Sequence, residues 1–257
     1  MMIEEGKRGT AGRSEYHRAL LKRWFVLWVI AAALALYPIN NLLIRIGLLL
    51  SLAALWGGLL HFYWKVKAIR FGALAVVGLV FLFLILPGKE SEVSKLRETY
   101  VETLANYEGT RYIWGGENRL GIDCSGLVRK GLIVANYRRG IWTLNPGLVR
   151  EGFSLWWHDC SARALGEGYR QRTRLLFSSE SINQIDYSRI LPGDIAVTES
   201  GVHTLAYLGG QTWIEADPDA GRVLQAQVPS KSPWFNEPVK IMRWAQLDEK
   251  NAETDAR

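Results

Sequence analysis

Residues 111–128 read RYIWGGENRLGIDCSGLV, and the way this stretch ends decides the fold. An aromatic run enters a double glycine and a charged loop, after which Asp123-Cys124-Ser125-Gly126 opens an apolar segment. A helix N-terminus carries partial positive charge, so a cysteine in its first turn favours thiolate over thiol. Upstream, Val93, Leu96, Tyr100, Val101, Leu104 and Tyr107 recur at helical spacing and predict a helix over 93–107. Downstream, residues 124–136 predict a second helix, with Leu127, Val128, Leu132 and Ile133 facing the core. Gly126 and Gly131 allow that helix to approach a packed sheet closely. From Leu191-Pro192-Gly193-Asp194, a turn signal, the pattern becomes β. Strands are expected at 195–197, 202–208, 212–216, 223–228 and 239–244. Helices followed by an antiparallel sheet make an α+β domain. Residues 137–190 read as a mostly helical insertion with buried Trp142, Trp156 and Trp157 and a solvated arginine face. The tail 248–257 is polar and reads as disordered.

This domain, residues 88–247, follows a different kind of chain. The whole protein has 257 residues and a mean hydropathy near zero, an average over two unlike halves. Residues 1–23 are polar and basic, and residues 24–87 are almost entirely apolar. The apolar run is too long for a cleaved signal peptide. Interruptions at Pro38-Ile39-Asn40-Asn41 and at 65–70 divide it into three spans, about 24–39, 42–64 and 66–86. Lysines and arginines crowd the N-terminal segment and the 65–70 loop, whereas the first connection holds only Arg45. That alternation puts the basic segments in the cytoplasm and the C-terminal domain outside a multi-pass inner-membrane anchor. A two-span alternative, with the third run lying on the membrane, would leave the domain inside. Arg45 and His61 lie near span ends and are expected to reach the headgroups. The net charge of +6 suits an anionic membrane surface or polymer. No nucleic-acid reader motif accompanies it.

A thiol nucleophile needs a base held by a third polar group. Of four histidines, His17 and His61 belong to the membrane part, leaving His158 and His203. His203 sits on an alternating strand after a turn, where a rigid scaffold can aim it. His158 and Cys160 lack further ligands at zinc spacing, so no metal or other cofactor is expected. A Cys124–Cys160 bridge would silence the thiol, and the helix-start context of Cys124 speaks against it. Glu215 and Asp217 share a face with His203 if the intervening hairpin loop has an odd number of residues, such as 209–211. A two-residue loop at Gly209-Gly210 would turn both away. Glu215 is the preferred orienting group.

Four motifs now stand in order: Tyr112-Ile113-Trp114-Gly115-Gly116, the block from Gly121 through Val128, Leu191-Pro192-Gly193-Asp194, and His203 followed by Tyr207-Leu208-Gly209. Together they resemble the NlpC-type family of papain-like cysteine peptidases over about residues 93–245. The resemblance implies a papain-like fold and cleavage of the stem peptides of bacterial peptidoglycan, typically between D-glutamate and the diamino acid. It implies Cys124 as nucleophile, its backbone amide as an oxyanion donor, and His203 as general base. Glu215 falls where the family most often has a second histidine or another polar residue. Tyr112, Asp123 and Ser125 fall on positions that line the pocket for the free amine of the stem. The expected partners are thus peptidoglycan stem peptides and a lipid bilayer; the sequence says nothing of oligomeric state. The same residues also suit a thiol amidase or acyltransferase on a non-wall substrate. A non-catalytic wall-binding subunit is the reading from another class, and an unreactive Cys124 would mark it.

Overall fold

The structure, a computed structural model, describes residues 2–249, with side chains from Arg18 onward. The chain divides into two units: residues 1–37 with 43–80, and Pro38–Leu42 with 81–257.

The first unit is helical. It contains α1 (Met2–Leu36), α2 (Leu42–Tyr63) and α3 (Lys67–Ile85), cut where the interruptions at Pro38 and Lys65 predicted. Arg18–Leu36, Leu42–Tyr63 and Lys67–Ile85 are each long and apolar enough to cross a membrane. Most of their large side chains are exposed. The Trp24 indole N–H donates to the Leu55 carbonyl at 3.2 Å, and its ring meets Trp28 and Phe62 edge-on. Arg45 departs from expectation: it is fully buried rather than reaching outward from a span end.

The second unit carries helices α4 (Val93–Ala105), α5 (Cys124–Trp142), α6 (Pro146–Trp157) and α7 (Ala162–Gly166). A two-stranded ribbon, β1 (Glu117–Asn118) with β2 (Gly121–Ile122), precedes α5. The main sheet is antiparallel and six-stranded, in the order β3-β8-β4-β5-β6-β7. Its strands are β3 (Thr173–Ser179), β4 (Ile195–Thr198), β5 (Thr204–Gly209), β6 (Thr212–Asp217), β7 (Arg222–Gln227) and β8 (Val239–Trp244). The α+β expectation therefore holds.

Strand alternation divides the core in two. Ile195 and Val197 join Leu127, Leu132, Met242 and Trp244 beneath the helices. Ala196, Leu205, Trp213 and Ile241 join Ile182 and Phe235 on the other face, under a loop layer. Gly131 permits a close approach, but to α4 rather than to the sheet: a Cβ there would lie 2.7 Å from Leu104 and Tyr100. Asp194, which ends the Leu-Pro-Gly-Asp turn, is buried and accepts two hydrogen bonds at 2.7 Å from Arg243 of β8. That pair pins the start of β4 to its neighbour.

The insertion is less helical than expected. It holds the edge strand β3, and Trp142 is 83% exposed rather than buried. The polar tail also begins later. Asp248 is buried and pairs with Arg174, and residues 250–257 lie outside the described residues. The short connection before α4 is held down: Asn145, at the start of α6, bonds both the amide of Lys89 (3.0 Å) and its carbonyl (2.7 Å).

Candidate active site

Cys124 is the first residue of α5. The turn before it is fixed by Asp123, whose Oδ1 accepts from the Gly126 amide (2.6 Å) and the Ser125 hydroxyl (3.1 Å). Its Oδ2 accepts from the Gly115 amide at 2.7 Å, tying the double glycine to the helix start. This is N-capping by an aspartate, with an added bond that holds the glycine loop. A side chain at Gly126 would strike the Gly116 carbonyl, its Cβ lying 2.3 Å away. The cap thus presents the Cys124 sulfur at the positive end of a 19-residue helix.

His203 directly precedes β5, and Thr198 of β4 clamps its backbone. The His203 amide donates to Thr198 Oγ1 at 3.1 Å, and the Thr198 amide donates to the His203 carbonyl at 3.1 Å. Its Nε2 lies 2.7 Å from Glu215 Oε2 on β6. The hairpin reaches this arrangement by an unforeseen route. The loop has two residues, Gly210-Gln211, but a bulge between Tyr207 and Gly209 adds the odd residue, so that Leu205 faces Glu215. Parity then carries Glu215 to the face of His203. Asp217, the other acid considered, accepts from the Asp219 amide at 2.8 Å and caps the next turn.

The imidazole is almost fully buried. Burial by itself lowers its pKa, but hydrogen bonds and charge attraction from Cys124 and Glu215 reverse that effect and hold it up at about 9. Glu215 is thus bonded to the ring, and Cys124 adds to the pull toward its charged form. Burial raises the pKa of Glu215, against the lowering effect of its bond to His203. Its second oxygen, Oε1, is buried without a hydrogen-bond partner. Trp234, in the short helical turn Pro233–Phe235, stacks on the imidazole with ring centroids 4.2 Å apart and planes 23° from parallel. An indole face attracts a cation, so this contact favours the protonated ring.

Cys124 opens into a cleft of about 550 Å³. Tyr112, Asp123 and Ser125 all line it, so the structure gathers the sequence-predicted binding residues around the thiol. Burial, with the negative charge of Cys124 and Asp123, pushes the Tyr112 phenol up to about 12, so it remains a neutral donor. His158 takes no part: its Nδ1 lies 2.8 Å from the Ser154 carbonyl of its own helix. Cys160 does line the cleft as a free thiol, pushed up to about 12 mainly by burial.

Sequence reading missed three contributors. One is Trp234. A second is Arg129, buried beside the cleft and ion-paired with Glu117, while its other nitrogen donates to the His158 carbonyl. The third is the turn after α1, whose Ile39, Asn40 and Asn41 line the cleft. Arg129 had a signal, since it stands four residues from both Ser125 and Ile133, on the inner face of α5. Among the described residues no cluster of His, Cys, Asp and Glu has the makings of a metal site.

Comparison with known proteins supplies the family. The NlpC/P60 family matches residues 109–243. A curated relative, "Dipeptidyl-peptidase 6" of Lysinibacillus sphaericus, is 36% identical over 64 residues, which are 25% of this chain and 22% of that protein. The chain thus spans about a fifth of that relative. Among solved structures, NlpC1 of Trichomonas vaginalis aligns with a TM-score of 0.38 and 20% identity, covering 61% of this chain and 46% of that one. The peptidoglycan hydrolase RipB of Mycobacterium tuberculosis aligns with a TM-score of 0.36 and 18% identity, over 58% and 65% of the two chains. The family assignment rests on the family match, which covers the cap, both hairpin strands and the sheet. Members of this family are generally cysteine peptidases acting on peptidoglycan, and the chain belongs to the NlpC/P60 family.

Proposed function

We propose that this protein is a membrane-anchored cysteine hydrolase that cuts peptide or amide bonds in peptidoglycan stem peptides. The observation that carries the reading is the buried imidazole of His203, bonded to Glu215 through Nε2 and drawn toward the charged form by Cys124, whose thiol opens into the cleft. The ring is protonated up to about pH 9, which sets an imidazolium beside the sulfur that serves as nucleophile.

Cys124 Sγ attacks the scissile carbonyl carbon, and the α5 N-terminus offers the Cys124 amide to the developing oxyanion. His203 gives its proton to the leaving nitrogen as the C–N bond breaks, leaving a thioacyl-enzyme and a neutral imidazole. A water then loses its proton to His203 and attacks the thioester, releasing the acid and restoring the ion pair. Glu215 orients the ring and stabilises its charge throughout. Tyr112, Asp123 and Ser125 receive the peptide. Since Asp123 already caps α5, its remaining role is one of charge toward an amine.

The localisation reading places the domain outside the cytoplasmic membrane. Its support is local: Pro38–Leu42 bonds within the same unit as residues 81–257, so both lie on one side. Two crossings, by α2 and α3, accord with that. Together with α1 this supports three spans, with the basic ends in the cytoplasm.

The test uses the full chain in detergent or nanodiscs with purified muropeptides, beside Cys124→Ala. Mass spectrometry should find stem cleavage by the wild type and none by the variant; equal turnover by the two would sink the assignment. For topology, alkaline phosphatase fused after residue 249 should be active, and an inactive fusion would favour two spans.

A further inference from the structure

The family match begins at residue 109, yet one wall of the cleft comes from far upstream. Ile39 forms an antiparallel bridge with Gly116, and the Glu117 amide donates to the Pro38 carbonyl at 2.9 Å. The Asn40 amide donates to the Gly115 carbonyl at 3.3 Å. The turn therefore adds a short strand edge to the loop that precedes Cys124. Its side chains are fastened too. Asn40 Nδ2 donates to Glu117 Oε2 at 2.8 Å, while the other oxygen of Glu117 pairs with Arg129 of α5. One buried carboxylate thus joins the turn to the helix that carries the thiol. Asn40 and Asn41 both line the cleft that Cys124 opens into, opposite no other carboxamide among its lining residues.

We propose that the turn at 38–41 is a wall of the substrate cleft and that Asn40 and Asn41 determine which peptides reach Cys124. A carboxamide offers a donor and an acceptor together, the pairing that an extended peptide backbone presents. The wall reads the peptide's main chain near the scissile bond and limits how much of it fits. Asn40 sets the wall's position through Glu117, and Asn41, the more exposed of the two, meets the peptide. The inference rests on the hydrolase reading for its substrate class and on the turn's own bonds for its geometry.

The test uses the full chain in nanodiscs of phosphatidylethanolamine and phosphatidylglycerol. Asn40→Asp sets a second carboxylate against Glu117 and should push the wall away; Asn41→Ala removes one carboxamide from the cleft wall. The first readout is kcat/KM on tri-, tetra- and pentapeptide stems. Each variant should change the ratio between the longest and shortest stem by about fivefold, the scale of one hydrogen bond. The second readout needs no turnover. It is the rate of Cys124 alkylation by chloroacetyl-glycylglycine divided by the rate with iodoacetamide, mapped by mass spectrometry. That ratio should shift by a similar factor while the iodoacetamide rate stays put. Ratios that remain within about twofold of wild type in both variants overturn the proposal. A wild type that cleaves no stem but alkylates at Cys124 sinks the hydrolase reading, and the alkylation ratio then decides the cleft wall alone.

Discussion

Two buried polar clusters stand beside the cleft, and they are built on opposite principles. Around His203, a titratable ring is bonded to Glu215 and biased toward its charged form by Cys124, with Trp234 over its face and one carboxylate oxygen left without a partner. Around Arg129, a permanent cation is held by Glu117, by Asp159 at 3.5 Å and by the carbonyls of Leu155 and His158. The first cluster has a proton to move; the second does not. Chemistry thus falls to the titratable group, and shape to the permanently charged one. Burial costs both clusters, but only in the first does the protein keep a charge that depends on pH.

The largest effect should come from breaking the Arg129 cluster. Arg129→Met removes the cation that faces the buried Glu117 carboxylate, and should cost about 3–5 kcal/mol of stability in chemical denaturation. Whatever protein remains folded should keep the wild-type pH profile; a moved profile would mean that the two clusters are one.

Glu215→Gln comes next. It keeps the shape but removes the charge that helps hold the imidazolium, and should lower kcat/KM about 10–100-fold at pH 8. The wild-type His203 pKa is raised from 6.5 to about 9, so its stabilisation is complete below about pH 6.5 and is lost as pH rises through about 9. Activity carried by the ion pair should fall across the same alkaline limb. In the Gln variant that limb should move toward lower pH, and a limb fixed near pH 9 would remove Glu215 from the mechanism. The smallest effect belongs to Trp234→Leu, about fivefold in kcat with a slight acid shift of the limb, the scale of a partly buried cation–π contact.

The same contrast explains what the sequence made legible. Cys124 announced itself because capping, glycine loop and helix start are local and contiguous. His203 and Glu215 lie twelve residues apart, and strand parity relates them once the hairpin is recognised. The bulge that sets the parity left no trace in a run as plain as Tyr207-Leu208-Gly209. Trp234 could not be foreseen, because it reaches His203 from a turn without periodicity. The strand β3 was missed for a similar reason: Thr-Arg-Leu-Leu-Phe-Ser-Ser lacks clean alternation, and it bulges against β8 between Leu175 and Phe177. Trp142 was assigned to the core by residue type alone, yet it ends α5 facing outward.

The turn at 38–41 also bears on whether the enzyme can be shed. A protease cutting the stretch at 90–92 would leave the sheet, the capped cysteine and His203 together on one fragment. That fragment would lack Asn40 and Asn41, and Glu117 would lose the partner it bonds at 2.8 Å. If the turn walls the cleft as proposed, proteolytic release would therefore give a hydrolase of altered selectivity. Pro38–Leu42, though far upstream in sequence, belongs to the same compact unit as the domain that carries Cys124.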